Sequence, residues 1–299
     1  MAQFTASSGP RSAGLKMHPA ELMRDRLWSI ISRAAPVILG VTLQVSFARA
    51  ADAEPEPMSA KDLAARLSAV WQDGASYVRL LLTVKQPPDT TKNALQIQIK
   101  ERRAKEGTDI IYQVLWPNER KGETVLLHAS PGRPPSGALF VPPDKLRPLS
   151  SSQMNESLFG SDLSYEDVIE NFYGWENQAI VGTEVIDRVS CLMLESKPSR
   201  SDHSTYTSVR SWIDSRRLVP LRVEKYQSSG QLARRIDTIR VVTDDKGRSV
   251  PAGLTVRRPG GDAVTEVDGS RIRHDVTYAD SEFTPDSLTH ITTPRSTSD

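Results

Sequence analysis

The chain of 299 residues has a single cysteine, Cys191, so no disulfide can form within it. This absence excludes the small scaffolds that depend on several disulfides for their stability. The apolar stretch around Cys191, residues 189–194, predicts a buried strand and therefore a structural thiol. A catalytic cysteine is the weaker interpretation, because no neighbouring residue type in the sequence suggests activation of the thiol.

The sequence also lacks the motifs of common catalytic and cofactor sites. It has no G-x-S-x-G, no P-loop and no G-x-G-x-x-G, and its histidines do not follow metal-ligand spacing. Three carboxylates, those of Asp162, Glu166 and Asp167, lie close together, and a general acid–base pair is one interpretation of them. Helix capping and the helix N-terminal charge explain Glu166 and Asp167 better. We therefore predict no catalytic residue, no metal ligand and no cofactor.

The first 50 residues have the layout of a secretory signal peptide. Basic residues precede an apolar run, residues 34–47, and Ala48-Arg49-Ala50 supplies small residues for cleavage. The run is too short and too polar for a comfortable membrane-spanning helix, although an uncleaved anchor is the alternative. The segment before the run is unusually long, so the sequence leaves open whether Met1, Met17 or Met23 is the true start. We predict export to the periplasm.

Removal of this segment changes the charge balance of the protein. Residues 1–50 hold six of the 38 Lys and Arg residues and two of the 37 Asp and Glu residues, so the remainder has a formal net charge of −3. A weakly acidic protein has no electrostatic reason to bind nucleic acid. We expect one domain over residues 51–291 and a polar, disordered tail over residues 292–299.

Two segments of the mature region predict helices. The first is residues 59–72, where Ser59 can cap the amino end of an amphipathic stretch. The second is residues 164–172, where Ser164 and Asp167 fit a capping box. One face of this second helix is apolar, with side chains at i, i+3, i+4 and i+7: Tyr165, Val168, Ile169 and Phe172.

Strand patterns dominate the remaining sequence. Residues 95–100 alternate between apolar and polar side chains, and similar short runs follow as far as residues 271–278, separated by turn residues. Many strands joined by short turns favour an antiparallel sheet over alternating βαβ units. A sheet of about ten twisted strands tends to curl, and the two helices are natural fillers of its concave side. Complete filling would leave a solid core, whereas partial filling would leave an apolar cavity.

The segment Phe159-Gly-Ser-Asp-Leu-Ser-Tyr-Glu-Asp-Val168 resembles the signature of the outer-membrane lipoprotein-sorting proteins, the LolA-like periplasmic carriers. The resemblance extends over residues 77–288 through shorter matches, among them Trp116-Pro117 and Ser211-Trp212-Ile213-Asp214. It implies a mainly β fold, a curved antiparallel sheet forming a half-open β-barrel with a few helices over its concave face. It also implies a cavity that holds acyl chains of a lipid or lipoprotein.

The predicted acyl-chain contacts are aromatic and aliphatic residues of the strands and of the second helix. Trp212 alternates with Arg210 and Asp214, which predicts a half-exposed ring on a polar face of its strand. Packing in an ordinary core is the competing interpretation for the large aromatic residues. The predicted contacts are Trp116, Phe140, Phe159, Tyr165, Val168, Ile169, Phe172 and Trp212.

The predicted function is therefore that of a periplasmic, non-enzymatic carrier of acyl chains, acting in outer-membrane lipoprotein sorting or in lipid transport. An inner-membrane transporter or an outer-membrane acceptor would be its protein partner. The alternative is an envelope-stress sensor or an exporter-associated adaptor that uses the same fold without carrying lipid. A hydrolase is the least favoured class, because it requires a site that the sequence does not show.

Overall fold

The computed structural model describes residues 58–88, 90–269, 272–290, 292 and 295–296. The predicted signal peptide lies outside these residues. Helix α1 is followed by six strands, the short helix α2 and seven further strands, and two short strands come last. The elements are α1 (Ala60–Trp71), β1 (Gly74–Gln86), β2 (Thr90–Arg103), β3 (Thr108–Trp116), β4 (Thr124–Ser130), β5 (Arg133–Val141), β6 (Lys145–Leu149), α2 (Tyr165–Ile169), β7 (Asn177–Ile186), β8 (Val189–Lys197), β9 (Ser208–Asp214), β10 (Val219–Tyr226), β11 (Leu232–Thr243), β12 (Ser249–Arg257), β13 (Val264–Gly269), β14 (Val276–Thr277) and β15 (Arg295–Ser296).

Strands β1 to β13 form one antiparallel sheet in the order β6-β5-β4-β3-β2-β1-β13-β12-β11-β10-β9-β8-β7. Each half of this sheet is a meander in which neighbours in sequence pair with each other, and the halves join through β1 and β13. The sheet is curved and does not close, because β6 and β7 lie at opposite edges. The predicted mainly β, half-open architecture is thus confirmed.

The order of the strands dictates the path of the chain between β6 and β7. These strands are consecutive in sequence but lie at the two edges of the sheet, so residues 150–176 must pass from one edge to the other. We call residues 150–176 the crossing segment. Along its path it contacts Asn93 of β2, Thr265 of β13 and Ser211 of β9. The crossing segment therefore lies over one face of the sheet, which we call the inner face.

Both helices begin at the predicted caps. Ser59 Oγ accepts a hydrogen bond from the backbone N–H of Asp62 at 3.1 Å. In α2, Ser164 Oγ accepts from the Asp167 N–H at 3.2 Å, and Asp167 Oδ2 accepts from the Ser164 N–H at 2.8 Å. The second helix is shorter than predicted, since it ends at Ile169 and Phe172–Gly174 forms a separate 3₁₀ turn.

The core is divided between the two faces of the sheet, because neighbouring residues of a strand point to opposite sides. On β3, Ile110 packs with the crossing segment on the inner face. Its neighbour Ile111 packs on the outer face against Phe283 and Leu288. These two residues belong to the 3₁₀ turns Asp280–Phe283 and Pro285–Thr289, which cover part of the outer face.

The C-terminal region differs from its predicted strand over residues 271–278. Among residues 272–278, which the structure describes, only Val276–Thr277 is a strand, and it pairs with Arg295–Ser296, which is β15. Arg273 makes an isolated bridge with Tyr77 of β1. From the predicted tail, Thr292 also contacts the sheet, because its carbonyl accepts a hydrogen bond from Gln98 at 3.1 Å. Arg295–Ser296 of the predicted tail form β15, and the remaining tail residues lie outside the described part of the chain.

Candidate functional site

A cavity of about 380 Å³ lies between the inner face of the sheet, helix α1 and the crossing segment. This volume falls in the range of roughly 300–1,000 Å³ that is usual for ligand sites. Apolar side chains of β1 and β2 form much of its wall, and residues of β10 to β13 complete it. The apolar wall includes Val78, Leu80, Leu82, Ile97, Ile99 and Val267.

The register of β1 and β2 explains why this wall is continuous. Val78 lies opposite Ile99, and Leu80 lies opposite Ile97, so four aliphatic side chains form one patch of the inner face. Leu81, between Leu80 and Leu82, points to the other face and is 41% exposed. The crossing segment spans this patch without filling the space above it, and an apolar hollow remains.

The ends of the cavity differ in polarity. Where β1 begins and β2 ends, the wall contains Ser76, Glu101 and Arg103 in place of aliphatic residues. The Arg103 guanidinium stacks over the Trp71 ring, with its carbon 4.2 Å from the ring centroid. It donates from Nε to Glu101 at 3.0 Å and from Nη2 to the carbonyl of Val168 at 3.3 Å. Arg103 therefore ties helix α2 to the sheet at the polar end.

A cluster of buried charges holds helix α2 at the cavity. The Asp167 carboxylate lies 3.0 Å from Lys225 Nζ and 3.2 Å from Arg234 Nε, and it accepts a hydrogen bond from the Tyr206 hydroxyl at 2.8 Å. Burial alone would raise the pKa of Asp167, but the two cations and the capping hydrogen bonds lower it to about 2. Asp167 is thus ionised and anchors the helix to β10 and β11.

Glu170, the residue after α2, belongs to the same cluster but has the opposite protonation state to Asp167. Burial raises the pKa of its carboxyl from 4.5 to about 8, although Lys225 is 3.6 Å away. Lys225 already pairs with Asp167, and the nearby carboxylates of Glu166 and Asp167 oppose a further negative charge. Glu170 is therefore protonated at neutral pH.

This protonation makes a prediction for the pH dependence of stability. Between pH 4.5 and about 8, the unfolded chain loses the Glu170 proton while the folded chain keeps it, so stability present below pH 4.5 is lost as the pH rises. Glu170→Gln has no proton to lose. We expect the variant to become more stable relative to the wild type as the pH rises. In urea titrations at pH 5 and pH 8, the difference in free energy of unfolding between Glu170→Gln and the wild type should increase by up to roughly 1.4 kcal/mol per pH unit. Glu106→Gln, the same change at an exposed residue, is the control. If the difference in stability between Glu170→Gln and the wild type did not vary with pH, Glu170 would not be protonated as we infer.

Sequence and structure comparisons place this architecture among known proteins. A family model described as that of an uncharacterized protein matches residues 107–290, more than half of the chain. The chain belongs to this family. None of the curated proteins has a significantly similar sequence.

Three solved structures share the fold of this family member. A DUF1329 family protein from Desulfovibrio piger is 22% identical with a TM-score of 0.70, and the match covers 77% of this chain and 97% of that one. A candidate outer membrane lipoprotein-sorting protein domain from Vibrio parahaemolyticus is 18% identical with a TM-score of 0.69, covering 77% and 98%. A LolA superfamily protein from Nitrosomonas europaea is 18% identical with a TM-score of 0.62, covering 77% and 100%. The LolA-like fold that the sequence resemblance implied is confirmed.

Two of the predicted acyl-chain contacts line the cavity of this LolA-like fold. Val168 of α2 is partly buried, and Phe172 of the following 3₁₀ turn is 7% exposed. Both belong to the cavity wall. The Phe172 ring also lies 5.4 Å from Lys225 Nζ, a cation–π contact that joins the wall to the buried charges.

Three further predicted contacts belong to the crossing segment but not to the wall of this cavity. Tyr165 and Ile169 are 4% and 3% exposed and pack in the core between the crossing segment and β1 to β4. Phe159 packs in the same core, with Gly160 beside it at a φ of +82°. Phe159 and Tyr165 also border a second, more open depression near Arg120. Their predicted contact with lipid stays a prediction.

The remaining three lie on strands away from the cavity. Trp116, at the end of β3, is 49% exposed. Phe140 packs on the outer face beneath the C-terminal 3₁₀ turns. Trp212 is only 5% exposed, so the prediction of a half-exposed ring is wrong. Trp212 points to the outer face, where Cys191 and Leu221 cover it. Its Nε1 donates a hydrogen bond to Glu184 at 2.7 Å.

The aliphatic wall on β1 was not predicted from the sequence. The signal was present, because apolar residues recur at every second position: Val78, Leu80, Leu82 and Val84. The carboxylates first considered for acid–base chemistry all have structural partners. Asp162 accepts from the Thr265 hydroxyl at 2.8 Å, and Glu166 accepts from the Thr205 N–H at 2.7 Å. Within the described residues, they secure the crossing segment to the sheet and to the loop before β9.

One group of potential metal ligands occurs in the part of the chain that the structure describes, formed by Asp244, Asp245 and His274. The guanidinium of Arg248 already lies in this group. It donates to Asp244 Oδ2 at 2.7 Å and lies 3.3 Å from His274 Nε2. A resident cation that pairs with the carboxylate removes the reason for a metal ion, so we assign no metal to this group.

No helix among the described residues is both long enough and apolar enough to cross a bilayer.

Proposed function

We propose that this protein is a periplasmic, non-enzymatic carrier that holds acyl chains of a lipid or lipoprotein in the cavity of its inner face. The observation that carries the proposal is the apolar cavity of about 380 Å³ beneath the crossing segment. Each CH₂ group that moves from water into such a hollow contributes about 0.8 kcal/mol. An acyl chain therefore supplies enough free energy for binding without any polar recognition.

The fold supports this proposal. Two of the similar structures are a candidate outer membrane lipoprotein-sorting domain and a LolA superfamily protein, and this chain spans nearly all of each. The signal-peptide layout of residues 1–50 suits a periplasmic location. In that compartment, an inner-membrane transporter would supply the acyl cargo or an outer-membrane acceptor would receive it.

The crossing segment supplies the means of access in this proposal. It is attached to the sheet by polar contacts at separate points, such as Asp162 with Thr265 and Val168 with Arg103. Beside these contacts it borders the cavity through partly buried apolar side chains, including Leu163 and Val168. Displacement of α2 would open the cavity to chains of variable length, and return of the helix would cover them.

Filling the cavity with a larger side chain tests the proposal. Leu80→Trp places an indole in the apolar hollow, and we expect lipid extracted from the purified protein to fall to a small fraction of the wild-type amount. Leu81→Trp is the matched control, because its side chain points to the other face and is 41% exposed. Native mass spectrometry and lipid extraction measure the result. Equal lipid content in the two variants, or no acyl species in the wild type, would contradict the proposal.

A further inference from the structure

Two buried N–H groups at the polar end of the cavity have no hydrogen-bond partner among the described residues. They are Nε1 of Trp71 and Nη1 of Arg103, and both residues belong to the cavity wall. Arg103 is 6% exposed, so its guanidinium is shielded from bulk solvent. A buried donor without a partner destabilises the folded state, and a charged donor does so more strongly.

The surrounding contacts hold the two groups together. Nε and Nη2 of Arg103 are used by Glu101 and by the carbonyl of Val168, which leaves Nη1 free. The stacking of Arg103 on the Trp71 ring at 4.2 Å puts the two unused donors on neighbouring groups. Such a pair of fixed donors matches a ligand that presents oxygen acceptors.

The charges at this end of the cavity are paired, which refines the chemistry of the ligand. Arg103 pairs with Glu101 at 3.0 Å, and Arg248 pairs with Asp73 at 2.7 Å. There is accordingly no large excess of positive charge to attract any anion. The groups that lack partners are donors, so the missing ligand atoms are acceptors.

The apolar wall continues from this point along the strands. From Ser76 to Leu82, β1 extends for about 20 Å at ~3.3 Å per residue, and its cavity-facing residues change from polar to aliphatic. A hydrocarbon chain along this wall would have its polar end beside Arg103 and Trp71. The polarity of the cavity thus matches that of an amphiphile with one acceptor-bearing end.

We infer that an acyl chain binds in the cavity with its acyl group at the polar end, where Arg103 Nη1 and Trp71 Nε1 donate hydrogen bonds to the acyl oxygens. This inference rests on the proposed carrier function and specifies its ligand. The shared chemistry is the acyl oxygen, which a free fatty acid presents as a carboxylate and an acylated lipid presents as an ester carbonyl.

The test compares probes of equal chain length on the delipidated protein by competition with a fluorescent fatty acid. The probes are palmitate, methyl palmitate and hexadecylamine, the last of which offers no acceptor when protonated. We expect palmitate or its ester to bind about tenfold more tightly than the amine, because one or two hydrogen bonds from buried donors contribute that much affinity. If only palmitate binds more tightly than the amine, the recognised group is the carboxylate. If palmitate and its methyl ester bind equally tightly, the recognised group is the acyl carbonyl.

Trp71→Phe keeps a six-membered aromatic ring beside Arg103 and removes the N–H together with the five-membered part of the indole. We expect it to weaken palmitate several-fold and to leave hexadecylamine unchanged. Arg103→Gln should reduce the preference further, and Arg147→Gln, at an exposed arginine paired with Glu156, is the control. Equal affinity for all three probes, unchanged by Trp71→Phe, would overturn the head-group inference and leave the carrier function intact. Absence of binding by every probe would overturn both.

Discussion

Replacement of Lys225 by Met is expected to lower the free energy of unfolding by about 3–5 kcal/mol at neutral pH. Lys225 is fully buried on β10, and its ammonium lies 3.0 Å from Asp167 and 3.6 Å from Glu170. Burial lowers the pKa of Lys225, but the carboxylates of its cluster more than offset this effect and raise it, so the side chain is charged. Its removal leaves the buried carboxylate of Asp167 with Arg234 as its remaining cation.

Urea unfolding followed by circular dichroism measures this loss. The matched control is Lys197→Met, which removes an ion pair with Glu195 at 2.7 Å from a lysine that is 55% exposed. Exposed pairs contribute about 0–1 kcal/mol, so the control should be close to the wild type. Similar losses in the two variants would show that Lys225 does not neutralise Asp167 as the geometry indicates.

The buried charges illustrate how far local sequence patterns reach. The capping box of Ser164 and Asp167 was predicted from sequence because it depends on residues three apart. The pairing of Asp167 with Lys225 was not predicted, since these residues are distant in sequence. Alternation places Lys225 on the same side of β10 as Val223, but only the path of the crossing segment brings a carboxylate to that side.

Only part of the candidate site could be predicted from the sequence, again because local patterns do not contain the path of the chain. Alternation identifies the strands and separates their two faces, but it does not say which face borders a cavity. Both faces of this sheet bury apolar residues, because the crossing segment covers one and the C-terminal 3₁₀ turns cover part of the other. Phe140 is buried on the outer face by these turns, and Trp212 is buried there by Cys191 and Leu221. Val168 and Phe172 border the cavity on the inner face. The choice between faces depends on chain topology.

Val168→Asp is the second change for which we expect a large effect, here on binding. Val168 is partly buried on α2 and forms part of the apolar cavity wall. A carboxylate at this position would face hydrocarbon whenever an acyl chain is bound. Placing an Asp in a hydrocarbon environment costs roughly 2.5–3.5 kcal/mol, which corresponds to about a hundredfold weaker binding. Competition with a fluorescent fatty acid measures the change.

Two neighbouring substitutions separate loss of binding from loss of folding. Val185→Asp makes the same chemical change on β7, where the side chain is 65% exposed, and it should bind as the wild type does. Ile169→Asp alters a core residue that is 3% exposed, so we expect that variant to lose stability before its binding can be compared. A folded Val168→Asp protein with wild-type affinity would mean that acyl chains do not contact α2. The crossing segment would then be a fixed part of the core, and access to the cavity would have to occur elsewhere along the inner face.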